Sequence, residues 1–147
     1  MSFDAISERT VAFLRRNNYW SEEPIADYIP IVDKLGLRVD SAARTFYLHM
    51  PAATIPGRLF ELLSVCWFTL HGDYLQGLAH SRETLKLAEA YIPLDGFEGD
   101  GGFFYNRDTD EVLELELGEK LVAFWRGELR PQFASFAAFL EWYFELA

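Results

Sequence analysis

The chain has 147 residues, of which 50% are apolar and 16% aromatic, and its formal net charge is −10. This composition excludes a disordered chain, and the length predicts a single domain with a sizeable core. The excess of acidic residues argues against binding to nucleic acid or to anionic membranes, because both depend on clustered Lys and Arg.

The first half of the chain predicts helices and short strands. Residues 3–16 and 25–36 have the apolar spacing of amphipathic helices, and Pro30 predicts a break or kink in the second. Residues 41–50 fit either a strand or a helix capped by Asp40 or Ser41, and we favour the helix. The following segments predict a turn at 51–56, a short helix at 58–63, a buried strand at 65–70, a turn at 72–73, a strand at 75–79 and a helix at 81–89.

The second half has clearer patterns. Phe103–Tyr105 and Val112–Leu117 are predicted to form a hairpin with a long polar turn, and the alternation in its second strand indicates a sheet with one solvated face. Leu121–Trp125 is predicted as a third antiparallel strand. The segment 131–147 is predicted to be a helix, because its aromatic residues recur at spacings of three and four. Ser135 is a candidate cap, and the aromatic stripe predicts core packing.

The sequence favours a cytoplasmic location. No apolar run reaches the roughly 20 residues that span a bilayer. The N-terminal residues carry charges where a secretory leader would have an apolar core. Cys66 is the only cysteine, so no internal disulfide can form. It lies in an apolar run, which predicts a small buried side chain rather than a nucleophile or a zinc ligand.

The acidic residues are concentrated in one segment. Between Asp95 and Glu119 there are nine acidic residues against one base, Arg107, so this segment carries −8 and the rest of the chain −2. A surface of this charge attracts a basic partner and accelerates the encounter. The alternative is that these residues only maintain solubility.

Outside the acidic segment, the sequence contains no spacing typical of a catalytic or metal site. His49, His71 and His80 lack the spacing of metal ligands, and none belongs to a recognised catalytic pattern. We therefore predict no catalytic residue, no metal and no cofactor.

The acidic loop 95–100 provides the alternative to that prediction. Its carboxylates are suitable ligands for hard cations, but their spacing does not match an EF-hand. The glycines at 99, 101 and 102 precede a strand rather than a helix, which argues against a phosphate cradle and favours a role in backbone freedom. A small ligand- or cation-binding domain, or an enzyme that uses this loop around Asp95–Asp100, is the alternative function.

The segment 92–115 also carries a family resemblance. It combines an apolar residue and a proline, a Gly-Asp-rich turn, a strand, a polar turn and a valine that begins the next strand. These positions are Ile92–Pro93, Gly99–Gly101, Phe103–Tyr105, Asn106–Asp110 and Val112. Their order resembles the SUKH superfamily, which includes a fungal regulator of cell-wall synthesis and many bacterial immunity proteins. Ala134–Leu140 resembles the closing helix of that family, and Phe46–Tyr47 resembles its early aromatic pair.

The resemblance implies both a fold and a function. The fold is α+β, with a mainly antiparallel sheet, helices packed on one side and a closing C-terminal helix in one domain spanning residues 1–147. The function is that of a non-catalytic immunity protein, which binds and neutralises a cognate toxin, frequently a nuclease. A nuclease needs basic residues to hold phosphate, so an acidic surface can occupy that site.

The predicted binding surface follows from this charge argument. Its residues are Asp95, Glu98, Asp100, Asp108, Asp110, Glu111, Glu114, Glu116 and Tyr105. Tyr91 and Trp125 are further candidates for aromatic anchors, since Tyr and Trp are over-represented among interface hot spots. Core packing is the more frequent role of such aromatic residues, and both interpretations stay open at this point.

Overall fold

Seven α-helices and five short β-strands make up the part of the chain that the computed structural model describes, residues 3–58, 61–97 and 100–146. The helices are α1 (Glu8–Arg16), α2 (Ile29–Lys34), α3 (Ala42–Leu48), α4 (Val65–His71), α5 (Tyr74–Leu85), α6 (Glu119–Trp125) and α7 (Phe136–Tyr143). The strands are β1 (Thr54–Ile55), β2 (Leu62–Leu63), β3 (Tyr91–Pro93), β4 (Gly101–Asn106) and β5 (Val112–Glu116). The predicted α+β class with a closing helix is confirmed. None of the described helices combines the length and the apolar character needed to cross a bilayer.

The larger sheet has three antiparallel strands in the order β3-β4-β5. Phe104 of β4 pairs with Leu113 of β5, and Tyr105 pairs with Val112, so the predicted hairpin is confirmed. The third strand is β3, in which Ile92 pairs with Tyr105, and not the segment 121–125. A separate two-stranded sheet joins β1 to β2.

Several predicted helices are confirmed, and side-chain caps define where they begin. Ser7 accepts a hydrogen bond from the Thr10 N–H at 3.2 Å, so α1 starts inside the predicted range 3–16. Ser41 and Ser135 cap α3 and α7 in the same way. Pro30 lies in the first turn of α2, after a short 3₁₀ turn at Ala26–Tyr28. The predicted break is therefore present, because proline is tolerated only in the first turn of a helix.

The strands predicted at 65–70, 75–79 and 121–125 are wrong, since these segments form α4, part of α5 and α6. Apolar runs this short fit a buried strand and a buried helix equally well. Ser64 favours the helix in α4, because its hydroxyl caps the N-terminus and accepts a hydrogen bond from the Trp67 N–H at 3.1 Å. The helix predicted at 58–63 is also wrong where it is described, because Leu62–Leu63 forms β2; positions 59 and 60 lie outside the described residues.

Buried apolar clusters cover both faces of the larger sheet. On one face, Phe103 and Tyr105 pack against Phe139 and Phe136 of α7, with ring centroids 5.0 and 5.2 Å apart. This main cluster also contains Cys66 and most of the aromatic stripe of α7, so both core predictions are confirmed. The second cluster comprises Leu85, Leu87, Phe104, Leu113, Leu115 and Leu121. This second face carries Leu113 and Leu115 and is covered by α6 and the end of α5. Glu114 and Glu116, which were predicted to line a solvated face, alternate onto the first face instead.

Candidate functional site

The β4–β5 hairpin separates the exposed acidic residues into two groups. Gly101 pairs with Glu116 at the open end of the hairpin, and Tyr105 pairs with Val112 beside the turn. Asp108 and Glu111 therefore lie at the turn, while Asp100 and Glu116 lie at the open end. A strand rises about 3.3 Å per residue, so the two groups are about 13 Å apart along β4. Glu114 lies between them, opposite Phe103, but it is partly buried and paired with Lys120.

Asp95 belongs to the interior of the fold and is removed from the predicted binding surface. Its side chain is only 4% exposed. Oδ1 accepts a hydrogen bond from the Phe97 N–H at 3.0 Å, and Oδ2 accepts one from the Phe103 N–H at 3.1 Å. A Cβ added at Gly102 would come within 2.3 Å of Oδ1, so glycine is needed there for close approach. Asp95 therefore organises the loop that leads into β4.

Tyr105 and Asp110 are the other two predicted site residues that lie in the interior. The Tyr105 hydroxyl donates to Asp110 Oδ1 at 2.7 Å, and the two residues are 1% and 2% exposed. Asp110 Oδ2 has no hydrogen-bond partner of good geometry among the described residues. Burial raises the pKa of Asp110 to about 6, although hydrogen bonds from Tyr105 and the Phe136 backbone offset part of that effect. This pair supports the turn rather than a protein interface.

The surface carboxylates differ in how far they are neutralised. Asp100, Asp108 and Glu116 are exposed, and Glu111 is partly buried. The Lys120 ammonium donates to Glu114 at 2.9 Å and lies 3.9 Å from Glu116, so it offsets part of the charge of β5. Glu98, also a predicted site residue, lies outside the described residues. Contact of the exposed acids with a partner stays a prediction.

Exposed apolar side chains lie on α6 and on the segment that joins it to the open end of the hairpin. We call this set the α6 surface, and it consists of Leu117, Val122 and Trp125, which are 50%, 37% and 44% exposed. Leu117 lies next to Asp100, because its N–H donates to the Asp100 carbonyl at 3.0 Å. The sequence interpretation missed Val122, because it treated the segment as a strand. Its signal was the spacing of three between Val122 and Trp125, which places both on one side of a helix.

The candidate aromatic anchors have different environments. Trp125 donates its indole N–H to the Leu85 carbonyl at 2.7 Å, and the Lys86 ammonium lies 5.0 Å from its ring centroid. The indole is thus held in one orientation while much of it stays exposed. Tyr91 packs edge-on against Phe124 with ring centroids 5.4 Å apart, so it belongs mainly to the second cluster.

A cleft of about 200 Å³ borders Asp95, between α4, α5 and β3. Its lining includes Phe68, Tyr74, Leu78 and Phe97, so it is mainly apolar. The Tyr74 hydroxyl donates to the Pro93 carbonyl at 2.8 Å, and burial raises the pKa of this phenol. Within the described ranges, no three His, Cys, Asp or Glu side chains come together to hold a metal ion.

The comparisons with known proteins identify no relative: no family model, no curated protein and no solved structure matches the chain. The resemblance to the SUKH superfamily therefore rests on the residues quoted above and stays a prediction.

Proposed function

We propose that the protein is a non-catalytic, cytoplasmic binding module that neutralises a basic protein toxin, as SUKH-type immunity proteins do. One observation carries the proposal: exposed carboxylates border exposed apolar side chains at the open end of the hairpin. Glu116 precedes Leu117 in the chain, and Glu119 lies one turn before Val122 on α6. Protein interfaces commonly combine an apolar centre with a polar rim, and charge complementarity selects the partner.

The α6 surface has the rigidity that an interface needs. Leu121 and Phe124 pack against the second cluster, so the buried face of α6 is fixed to the sheet. The hydrogen bond from Trp125 to the Leu85 carbonyl fixes the indole before a partner arrives. A side chain that is already ordered loses little conformational entropy on binding, and Trp is enriched among hot spots. These features support Trp125 as the central contact of the proposed interface.

Charge reversal at this surface tests the proposal. The assay is rescue of growth when the protein is co-expressed with the product of the neighbouring gene, followed by measurement of the Kd of the purified pair. The variant Glu116→Lys/Glu119→Lys is expected to abolish rescue and to weaken binding at least tenfold, with binding that also weakens as salt is raised.

The matched control is Asp108→Lys/Glu111→Lys, which changes the net charge equally at the turn of the hairpin. We expect this control to rescue growth almost as well as wild type, and both variants should keep the Tm of wild type within a few degrees. Equal binding by wild type and Glu116→Lys/Glu119→Lys would show that the α6 surface is not the interface. Equal losses from both pairs would show that the interface is not confined to the α6 surface, either because Asp108 and Glu111 also contact the partner or because only net charge matters.

The cleft beside Asp95 supports a second candidate function, the binding of a small ligand or cation by the acidic loop. Its mainly apolar lining favours a small apolar ligand over a cation. The carboxylate oxygens of Asp95, the nearest candidate cation ligands, already accept backbone hydrogen bonds. Titration with Ca²⁺ and with benzene, followed by NMR, separates the two ligands. Shifts of the Gly96 and Phe97 amides with benzene alone would support a ligand site, and no shift with either would remove this candidate.

A further inference from the structure

We propose that a cleft between α2, α5 and the hairpin turn binds a small molecule that carries a phosphate or carboxylate group on an apolar body. This arginine cleft has a volume of about 360 Å³. Its lining consists of Lys34, Arg82 and Arg107, the carboxylate residue Glu89, and the apolar residues Leu35, Leu75, Leu78 and Ala79. The cleft is separate from the α6 surface, and the proposal does not depend on toxin binding.

Both guanidinium groups are held in place by the backbone. Arg82 donates from Nη2 to the Glu89 carbonyl and from Nε to the Tyr91 carbonyl, the latter at 3.3 Å. Arg107 donates from Nη1 to the Leu35 carbonyl at 2.8 Å. These contacts fix the two groups where both line one cleft. An anion site preorganised in this way loses little entropy when it binds its ligand.

The backbone at the end of α2 is shaped around Arg107. Gly36 has a φ of +74°, and a Cβ there would come within 3.0 Å of Arg107 Nη1. The guanidinium therefore lies directly against the main chain, and a side chain at position 36 would have to displace it in addition to adopting a left-handed backbone conformation. The Arg107 N–H also donates to the Ala90 carbonyl at 3.0 Å, which holds the hairpin turn to the same segment.

The basic side chains that line the cleft outnumber the carboxylates. Three cationic side chains line it against one carboxylate, in a chain whose net charge is −10. Glu89 Oε1 lies 3.7 Å from Arg107 Nη2, but 79% of the Glu89 side chain is exposed, so this pair is loose. Burial and the nearby Arg107 both lower the pKa of Arg82. An anion placed between the guanidinium groups would relieve their repulsion and accept paired hydrogen bonds.

The other lining residues define the rest of the ligand. Leu75 and Leu78 lie on one face of α5, and they give the cleft an apolar side next to its cationic side. Ligand pockets typically combine such apolar walls with a few polar groups that orient the ligand. A nucleic acid or another polyanion would be repelled by the acidic remainder of the surface. A small amphiphilic anion is therefore the ligand class that fits.

A purely structural role is the competing explanation. In that case the arginines only join α2 and the segment 89–91 to the hairpin turn. That role accounts for the hydrogen bonds to carbonyl groups, but it requires neither Lys34 nor an open cavity. The two explanations differ in whether added anions bind and whether Glu89 competes with them.

Titration of the full chain with four probes tests the proposal by calorimetry and NMR. Phenyl phosphate and benzoate each combine an anion with an apolar body, whereas inorganic phosphate and benzyl alcohol each supply one part alone. We expect phenyl phosphate or benzoate to bind at least tenfold more tightly than either single-part probe and to shift the resonances of Arg82, Arg107 and Leu78. The tighter of the two aromatic anions identifies the anionic group as phosphate or carboxylate.

Two variants give opposite expected changes. Glu89→Gln removes the competing carboxylate and is expected to raise the affinity for the preferred anion about threefold to tenfold, as expected for removal of a weak ion pair. Lys34→Gln is expected to lower it by a similar factor. The matched control Arg130→Gln changes the charge of an exposed residue outside the cleft lining and should leave affinity unchanged.

Two outcomes would overturn the proposal of an anion site. If none of the four probes binds, or if Glu89→Gln and Lys34→Gln behave like Arg130→Gln, the arginines have only a structural role and the proposal is overturned. Because Glu89→Gln is expected to strengthen binding, unfolding of a variant cannot imitate the predicted result.

Discussion

Asp95 and Asp110 lie at opposite ends of the β4–β5 hairpin, and their buried carboxylates have different surroundings. Asp95 is 4% exposed and accepts a backbone N–H at each oxygen. Asp110 is 2% exposed and accepts one hydrogen bond of good geometry, from the Tyr105 hydroxyl, with further support from the Phe136 backbone, while burial raises its pKa to about 6. A buried carboxylate with few hydrogen-bond donors costs free energy in its ionised form, which is why burial raises the pKa of Asp110.

The acidic segment presents less negative charge on the surface than its sequence predicts. Asp95 and Asp110 contribute to its charge of −8, but neither presents that charge on the surface. The Lys120 ammonium offsets part of what Glu114 and Glu116 contribute. The exposed negative charge available to a partner is consequently smaller than the sequence indicates, and it is divided between the two ends of the hairpin.

The largest effect is expected from loss of the Asp95 acceptors. Asp95→Ala removes the acceptor of the buried Phe103 N–H and of the partly buried Phe97 N–H, and a buried group left without a partner costs about 1–3 kcal/mol. We expect the free energy of unfolding, measured by urea denaturation, to fall by about 3 kcal/mol. Asp108→Ala, at an exposed position, is the control and should change it by less than about 0.5 kcal/mol. A small loss in both variants would show that the Asp95 hydrogen bonds are not important for stability.

A smaller loss is expected from a methyl group placed against Asp95. In Gly102→Ala the new Cβ would lie 2.3 Å from Oδ1, so the loop has to shift. Overpacking of this kind costs about 2 kcal/mol. The effect should be strongly non-additive with Asp95→Ala, because both changes disturb one contact. Gly77→Ala in α5 meets no atom within 4 Å and should instead stabilise the protein by about 0.5–1 kcal/mol.

The smallest effect is expected at the other end of the hairpin and depends on pH. The pKa of Asp110 is about 6 in the folded chain against its ordinary value of 3.8, so its contribution to stability is fully present below pH 3.8 and is lost as the pH rises through 6. Asp110→Asn does not titrate. Relative to wild type, it should therefore gain about 1–2 kcal/mol between pH 4 and pH 7.5.

Denaturation curves over this pH range provide the measurement. Tyr105→Phe removes the hydrogen bond that lowers the pKa of Asp110, so its transition should move to higher pH than in wild type. Parallel stability profiles for wild type and Asp110→Asn would contradict a raised pKa of Asp110 in the folded chain.

Local patterns predicted the elements whose signals lie within a few residues of one another. Ser41 and Ser135 precede α3 and α7 and cap them, and the alternation from Val112 onward predicted β5. A cap or a strand alternation is decided by neighbours in the chain, which is why it can be read without knowing the fold. The same reasoning placed the aromatic stripe of α7 and Cys66 in the core.

Elements that depend on distant contacts were predicted less well. The short apolar runs at 65–70 and 121–125 fit strands as well as helices, and α6 is selected because Leu121 packs on the second face of the sheet. The third strand, β3, is a short segment whose strand conformation is completed by pairing with β4, a distant part of the chain. The predicted binding surface was wrong at three residues for the same reason. Asp95, Tyr105 and Asp110 are buried by packing between distant parts of the chain, which no local pattern reveals.

The sequence by itself determined the α+β class, the hairpin, the closing helix and the concentration of negative charge, because each depends on composition or on residues close together in the chain. Tertiary structure alone decided which carboxylates stay on the surface. It also brought Arg107, the single base of the acidic segment, to the same cleft as Lys34 and Arg82. The physical reason is that burial and charge proximity depend on which apolar faces meet, and those faces come from distant parts of the chain.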